Sequence, residues 1–171
     1  MGYIRKPCSA AAVSSAVLVV RSPIAVSSAS SAEFLAQGVR TSLRPVRRSD
    51  CAEVLALRRE SAEMHRPWLV AQEATEEAFD AYVERFDEPE QEGFVICRRE
   101  SGAIVGSVAI YDIVRGPFQS GVIVYAAYAS TAGRGYLTEG VGLAVQHGFA
   151  VLGLCRLEAR TGRRTPGHRG Y

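Results

Sequence analysis

Apolar residues recur at helical spacing in two segments of the first half of the chain. The first segment predicts a helix that Ser49 or Asp50 caps and that ends near Ser61. The second predicts a helix that Thr75 caps and that ends before Pro89. Its buried face would consist of four large side chains, Phe79, Tyr82, Val83 and Phe86.

Runs of apolar and β-branched residues predict strands in the remainder of the chain. These strands are residues 41–46, 93–99, 104–114, 120–128 and 156–160, and Glu100-Ser101-Gly102 joins the second to the third as a hairpin. A third helix is predicted over residues 138–152. Two helices, an antiparallel run of strands and a strand–helix–strand unit indicate one mixed α/β (α+β) domain, with a mostly antiparallel sheet and flanking helices.

The loop between the strand at 120–128 and the last helix carries the most specific chemical signal. It reads Ala132-Gly133-Arg134-Gly135-Tyr136-Leu137-Thr138-Glu139. A helix start presents unpaired N–H groups and partial positive charge, which together favour a phosphate or diphosphate. Gly133 and Gly135 let the backbone approach such an anion and adopt positive φ. We expect Thr138 to cap the helix and Glu139 to lie in its first turn.

A tight turn without a ligand is an equally good interpretation of the Gly-x-Gly pattern by itself. Two other phosphate-binding motifs are absent from the sequence. There is no Gly-x-x-x-x-Gly-Lys-Ser/Thr, and Thr138 stands where a Gly-x-Gly-x-x-Gly motif needs its third glycine.

The wider context resembles the GNAT superfamily of acetyltransferases, and within it the RimJ/RimL-type protein N-terminal acetyltransferases. The resemblance spans about residues 41–160 and rests on the loop, on Leu43-Arg-Pro-Val-Arg-Arg-Ser-Asp50, on Arg66-Pro-Trp-Leu69 with Thr75-Glu-Glu-Ala-Phe79, and on Gly153-Leu-Cys-Arg-Leu-Glu-Ala-Arg160. It implies acetyl-CoA as the acetyl donor, with its pyrophosphate held by backbone amides of Gly133, Arg134, Gly135, Tyr136, Leu137 and Thr138. The loop departs from the family pattern Gln/Arg-x-x-Gly-x-Gly/Ala at Ala132 and Leu137.

The resemblance also suggests where catalysis and acceptor binding would occur. Many relatives carry a glutamate base on the strand before the loop, at the place of Val122 here, and this strand has no carboxylate. Tyr125 and Tyr128 are its nearest polar groups and are the candidate catalytic residues, although strand tyrosines more often serve packing. His65 and Trp68 would line the acceptor groove; the alternatives are a surface turn and an aromatic at the edge of the core.

Both ends of the sequence lack a sustained apolar period. Residues 1–40, rich in Ala, Val and Ser, are predicted to be a disordered extension, and residues 161–171 a disordered basic tail. In the resembled family the chain continues after the last predicted strand with a further loop, a helix and two strands. We therefore expect a domain over residues 41–160 that lacks these C-terminal elements, and we hypothesise a frameshift or truncation near residue 160.

Composition narrows the remaining possibilities. The net charge of +2 is too small to indicate nucleic-acid binding. The four cysteines are far apart without a Cys-x-x-Cys pair, so neither a metal site nor a disulfide framework is expected. His147 is expected on the exposed side of its helix, without a Glu-x-x-His partner for a metal. No stretch is long and apolar enough for a membrane span.

The resulting hypothesis is a cytoplasmic N-acetyltransferase that transfers an acetyl group from acetyl-CoA to a protein N-terminal α-amine or a small amine. Two alternatives stay open from the sequence. One is a truncated, catalytically inactive domain that binds CoA, and the other is a basic nucleic-acid-binding module. The sequence leaves the oligomeric state open.

Overall fold

The computed structural model describes residues 34–66 and 74–159, and the backbone of residues 2–5. The strands are β1 Gly2–Arg5, β2 Ala36–Gln37, β3 Thr41–Pro45, β4 Glu92–Arg98, β5 Ile104–Val114, β6 Ser120–Ala127 and β7 Arg156–Ala159. The helices are α1 Cys51–Glu60, α2 Ala62–His65, α3 Glu76–Glu84 and α4 Tyr136–Ala150. Within these ranges, no helix is long and apolar enough to cross a membrane.

Within the described ranges, the strands form one seven-stranded sheet in the order β1-β7-β6-β5-β4-β3-β2. Neighbouring strands are antiparallel except β6 and β7, which run parallel and are joined through α4. A parallel pair needs such a crossover, which is why this strand–helix–strand unit differs from the hairpins before it. The predicted fold class, a mixed and mostly antiparallel sheet with flanking helices, is confirmed.

The sheet is covered on both faces, so its central strands are apolar on both sides. On one face α4 packs on a cluster that includes Phe94, Ile96 and Ile123. On the other face α1 and α3 pack on a second cluster that includes Val95 and Phe79. Alternation of side chains along β4 sends consecutive residues into opposite clusters, which explains its unbroken apolar run.

The corner between β3 and α1 contains a buried ion pair that the sequence did not reveal. Asp50 accepts two hydrogen bonds of 2.8 Å from the guanidinium of Arg44 and one of 2.9 Å from the amide of Arg47. Asp50 occupies the N-cap position of α1 as predicted, but its side chain makes no capping hydrogen bond to that helix. Thr75, in contrast, accepts a hydrogen bond from the amide of Ala78 and caps α3 as predicted.

Two segments of the predicted N-terminal extension are paired in the sheet. Gly2–Arg5 runs antiparallel to β7, with Gly2 opposite Ala159, and Ala36 lies opposite Leu43 of β3. The sheet therefore includes strands before residue 41, where the apolar pattern predicts the domain to begin. Main-chain pairing satisfies the N–H and C=O groups of a sheet edge whatever the side chains are, so an apolar pattern does not reveal it. Residues 6–33 and the predicted basic tail at 161–171 lie outside the described residues.

One further expectation, about the side chain of His147, is wrong. His147 is only 7% exposed, and its Nε2 lies 2.7 Å from Oε2 of Glu92. It faces the sheet because it lies three residues after Ala144, on the buried side of α4. Cys51 and Cys97 are free thiols.

The Arg44–Asp50 pair generates a prediction about acid stability. Burial acts to raise the pKa of Asp50, but the hydrogen bonds from Arg44 and Arg47 outweigh it and hold the pKa below its usual 3.8. A depressed carboxyl pKa stabilises the fold above the unfolded value and loses this effect as pH falls through the folded value. Asp50→Asn should therefore lower the free energy of unfolding by about 3 kcal/mol at pH 7, because it leaves Arg44 buried without its counter-charge.

Urea unfolding followed by circular dichroism at pH 7 and below the usual carboxyl pKa would measure this. The difference between wild type and Asp50→Asn should shrink in acid. Glu84→Gln is the control, because Glu84 pairs with Arg48 on the surface and should contribute less than about 1 kcal/mol. If Asp50→Asn and Glu84→Gln lost the same free energy of unfolding, the stabilising role of the buried Arg44–Asp50 pair would be contradicted.

Two glycines of α4 provide a matched test of how closely the helix approaches the sheet. A Cβ at Gly140 would lie 2.5 Å from atoms of Ile96, whereas a Cβ at Gly142 would meet no atom within 4 Å. Gly142→Ala should raise stability by about 0.5–1 kcal/mol, because alanine loses less backbone entropy in a helix. Gly140→Ala should lower it by about 1–3 kcal/mol through overpacking. Thermal unfolding of both variants measures the difference, and stabilisation of both would refute the close approach.

Candidate functional site

The loop after β6 leads directly into α4 through two left-handed glycines. A short 3₁₀ turn at Ala129–Thr131 follows the strand, and then Gly133 and Gly135 adopt φ values of 74° and 79°. Gly135 is the N-cap of α4, so the prediction that Thr138 caps this helix is wrong. Thr138 instead lies in the first turn, one residue before Glu139, which occupies that turn as predicted.

The start of α4 has no side-chain cap. Its hydrogen bonding begins with the amide of Glu139, which donates to the carbonyl of Gly135 at 3.2 Å. The amides of Tyr136, Leu137 and Thr138 therefore have no acceptor within the helix. These N–H groups and the positive end of the helix dipole are suited to an anion.

Arginine side chains surround this helix start. The guanidinium carbon of Arg40 lies 5.0 Å from the ring centroid of Tyr136, and that of Arg98 lies 5.1 Å from the same ring. Nη1 of Arg40 also donates to the carbonyl of Arg134 at 3.2 Å. Positive charge from the turn before β3 and from the end of β4 therefore adds to the field of the helix dipole.

Glu139 connects α4 to the turn between β2 and β3. Its Oε1 accepts hydrogen bonds from the amides of Arg40 at 2.8 Å and Thr41 at 3.2 Å, and its Oε2 lies 3.5 Å from Nε of Arg40. Burial acts to raise the pKa of Glu139, but these hydrogen bonds and the nearby charge of Arg40 lower it overall. The carboxylate is thus ionised and occupied in holding the turn against the helix.

The end of β6 is held from the other side by the residues around α2. Nε2 of His65 donates to the carbonyl of Ala127 at 2.7 Å, because a carbonyl oxygen can only accept. The fully buried Ser61 accepts a hydrogen bond of 2.9 Å from the amide of Ala129. His65 is half-buried and lies beside the strand that precedes the loop. Trp68, the other residue predicted to line the acceptor groove, lies outside the described residues.

The two candidate tyrosines lie on opposite faces of the sheet. Tyr125 lies opposite Val108, on the face that α4 covers, and is 37% exposed. Tyr128 is 1% exposed and belongs to the cluster under α1 and α3, where burial raises the pKa of its hydroxyl. The structure does not bring them together, and the burial of Tyr128 speaks against direct contact with a substrate.

Sequence reasoning missed three residues that shape this site. Arg40 and Ser61 make the contacts described above, and Thr131 anchors the loop by donating its hydroxyl to the carbonyl of Val105 at 2.8 Å. Each acts on a segment far away in the sequence, with separations of 94, 68 and 26 residues. No local pattern signals such a contact.

Residues 40–166, well over half of the chain, match the family model described as Acetyltransferase (GNAT) domain. The chain belongs to the GNAT acetyltransferase family. This GNAT domain is 28% identical over 124 residues to the Probable N-acetyltransferase YjcK of Bacillus subtilis, with 68% of each chain covered.

Two solved structures have the same fold as this GNAT domain. The ribosomal-protein-S5-alanine acetyltransferase of Vibrio fischeri superposes with a TM-score of 0.67 at 20% identity, covering 76% of this chain and 75% of its own. RimJ of Mycobacterium smegmatis, solved in complex with CoA-disulfide, superposes with a TM-score of 0.65 at 23% identity, covering 74% and 64%. Membership of the family makes this an acetyl-CoA-dependent N-acetyltransferase.

Two glycines of the GNAT domain allow a matched test of the candidate anion site at the loop. Gly133 and Gly153 both have positive φ, and a Cβ at either would meet no atom within 4 Å. Alanine at either position should cost about 1–2 kcal/mol of stability through the same backbone strain. Only Gly133→Ala should also weaken CoA binding, by roughly tenfold. Isothermal titration with CoA distinguishes the two variants, and equal CoA affinities would show that the loop does not take part in coenzyme binding.

Proposed function

We propose that residues 133–138 of this GNAT domain hold the diphosphate of acetyl-CoA. The observation that carries this proposal is the uncapped start of α4 behind two left-handed glycines, which leaves adjacent amides without an acceptor in the helix. Gly133, Arg134 and Gly135 are exposed, so a ligand can reach them. The departures at Ala132 and Leu137 affect this little, because the contacts are made by main-chain groups.

We further propose that the acceptor is a protein N-terminal α-amine. The amine nitrogen attacks the thioester carbonyl, a C–N bond forms, the C–S bond breaks and CoA leaves as a thiol. The acceptor ammonium must first lose a proton, and with no carboxylate on β6 a water molecule would carry it away. Positioning of the already activated thioester supplies much of the remaining rate enhancement.

Tyr125 is the candidate for a polar side chain that meets the reacting atoms, because it is an exposed tyrosine near the end of β6 that leads into the loop. Tyr128 would act at most by packing behind this strand. His65 is proposed to line the acceptor groove together with Trp68. Since Nε2 of His65 is used by Ala127, its Nδ1 is the ring nitrogen available to an acceptor.

The choice of an N-terminal amine draws on relatives. One similar structure is a ribosomal-protein-S5-alanine acetyltransferase, and its identity of 20% supports the fold more strongly than the acceptor. A small amine is the alternative acceptor. We place the reaction in the cytoplasm, where acetyl-CoA and nascent or ribosomal proteins are both present.

A two-step experiment tests the proposed function. Acetyl-CoA at a hundred times its dissociation constant should raise the free energy of unfolding by about 2.7 kcal/mol, measured by thermal shift. Mass spectrometry should then show acetylation of a peptide with a free α-amine. The same peptide with a blocked α-amine and an internal lysine is the control, and spermidine represents small amines.

The outcomes separate the candidate functions. Transfer to the free α-amine alone supports the proposal, whereas transfer to spermidine alone would overturn the acceptor assignment. A thermal shift without transfer to any acceptor would identify a domain that binds CoA without catalysis. No shift at all would refute the coenzyme site.

A further inference from the structure

We propose that Arg40 is a coenzyme-binding residue, whose guanidinium contacts the diphosphate held by the loop at residues 133–138. The inference rests on the proposed function of that loop. Arg40 precedes β3, in a turn 94 residues away from the loop along the chain, and neither its spacing nor the loop motif marks it.

The guanidinium of Arg40 lies against three consecutive residues of the loop. Its Nη1 donates to the carbonyl of Arg134 at 3.2 Å, and its carbon lies 5.0 Å from the ring centroid of Tyr136. Its Nη2 would lie 3.0 Å from a Cβ built on Gly135. These contacts place a permanent positive charge at the amides that would receive the anion.

The turn that carries Arg40 is fixed in place. Gly38 donates its amide to the carbonyl of Thr41 at 2.8 Å, and Nη1 of Arg99 donates to the carbonyl of Gly38 at 2.8 Å. A Cβ on Gly38 would lie 2.3 Å from Oε1 of Glu139, so the absence of a side chain lets Glu139 reach the amide of Arg40. The arginine is therefore held before a ligand arrives, which lowers the entropic cost of binding.

The side chain of Arg40 retains capacity for a ligand. It is 51% exposed, and a guanidinium has five N–H donors. One of these bonds the carbonyl of Arg134, and Nε faces Glu139 at 3.5 Å. The guanidinium of Arg98, 5.1 Å from the ring centroid of Tyr136, adds further positive charge near the helix start, and such surroundings favour a diphosphate.

Three variants test the proposal in the full chain. Arg40→Gln removes the charge, and Arg40→Lys keeps it without the planar fork. Arg48→Gln is the control: Arg48 has a similar side-chain exposure of 56% but pairs with Asp80 and Glu84 of α3, on the opposite face of the sheet. Titration calorimetry with CoA and with 3′-dephospho-CoA, at several salt concentrations, gives the affinities. Acetyl transfer is measured with acetyl-CoA and with S-acetylpantetheine, which lacks the diphosphate.

Arg40→Gln should weaken the binding of CoA and of 3′-dephospho-CoA by the same factor of about ten at low salt. The affinity of the variant should also depend less on salt concentration than that of the wild type. The KM for acetyl-CoA should rise with kcat nearly unchanged, because the contact is made equally in the ground and transition states. Arg40→Lys should retain most of the salt dependence. Arg48→Gln should match wild type, and S-acetylpantetheine should react equally well with wild type and Arg40→Gln.

Several results would overturn the proposal. If Arg40→Gln lost affinity for CoA but not for 3′-dephospho-CoA, the arginine would contact the 3′-phosphate and not the diphosphate. An equal loss of activity with S-acetylpantetheine would show that Arg40 only maintains the fold of the loop. Unchanged affinity of Arg40→Gln for CoA would show that Arg40 makes no contact with the diphosphate. Failure of the wild type itself to bind either coenzyme would instead refute the proposed function of the loop. That outcome differs from the others, because they all require a wild type that binds CoA.

Discussion

The close approach of α4 to the sheet fixes the position of everything that surrounds the site. Gly140 faces Ile96 with no room for a side chain, and Gly148 faces Leu157 at nearly the same closeness. A helix packed this closely on β4 and β7 has a fixed axis, so its first turn also has a fixed position beyond the end of β6. The left-handed loop glycines then allow the chain to turn from the strand into that helix.

The helix start is assembled from both sides of the sheet. From the α4 side, Glu139 secures the turn at residues 38–41, which places a guanidinium next to the free amides. From the other side, Ser61 and His65 hold the end of β6 through main-chain groups of Ala127 and Ala129. The proposed anion site thus depends on contacts between segments far apart in the sequence, and these contacts use main-chain donors and acceptors.

The chemistry available at this site is that of positioning. Tyr125 is the exposed tyrosine of β6, and the strand presents no carboxylate. Amide N–H groups, a helix dipole and arginines are groups suited to binding and orienting the diphosphate of the proposed site, and such orientation is what a reaction of an activated thioester requires most. An acetyltransferase can therefore be built here with few side chains dedicated to proton transfer.

The predicted elements agree with the structure where a single local rule applies. Ile104–Val114 has the predicted bounds, and Thr75 caps its helix because that bond joins residues three apart. The local rules failed where another group competed. Asp50 binds Arg44 in preference to its own helix, and Gly135, whose φ is positive, takes the capping position expected of Thr138.

By itself the sequence determined the order of helices and strands, the mixed sheet and the glycine loop before α4, because these follow from periodicity and from the backbone freedom of glycine. The tertiary structure alone decided that His147 is buried against Glu92, that Tyr125 and Tyr128 face opposite sides, and that Arg40 reaches the loop. The reason is physical. Those features depend on which distant segments the sheet and the packing of α4 bring together, and a pattern along one segment carries no information about its partner.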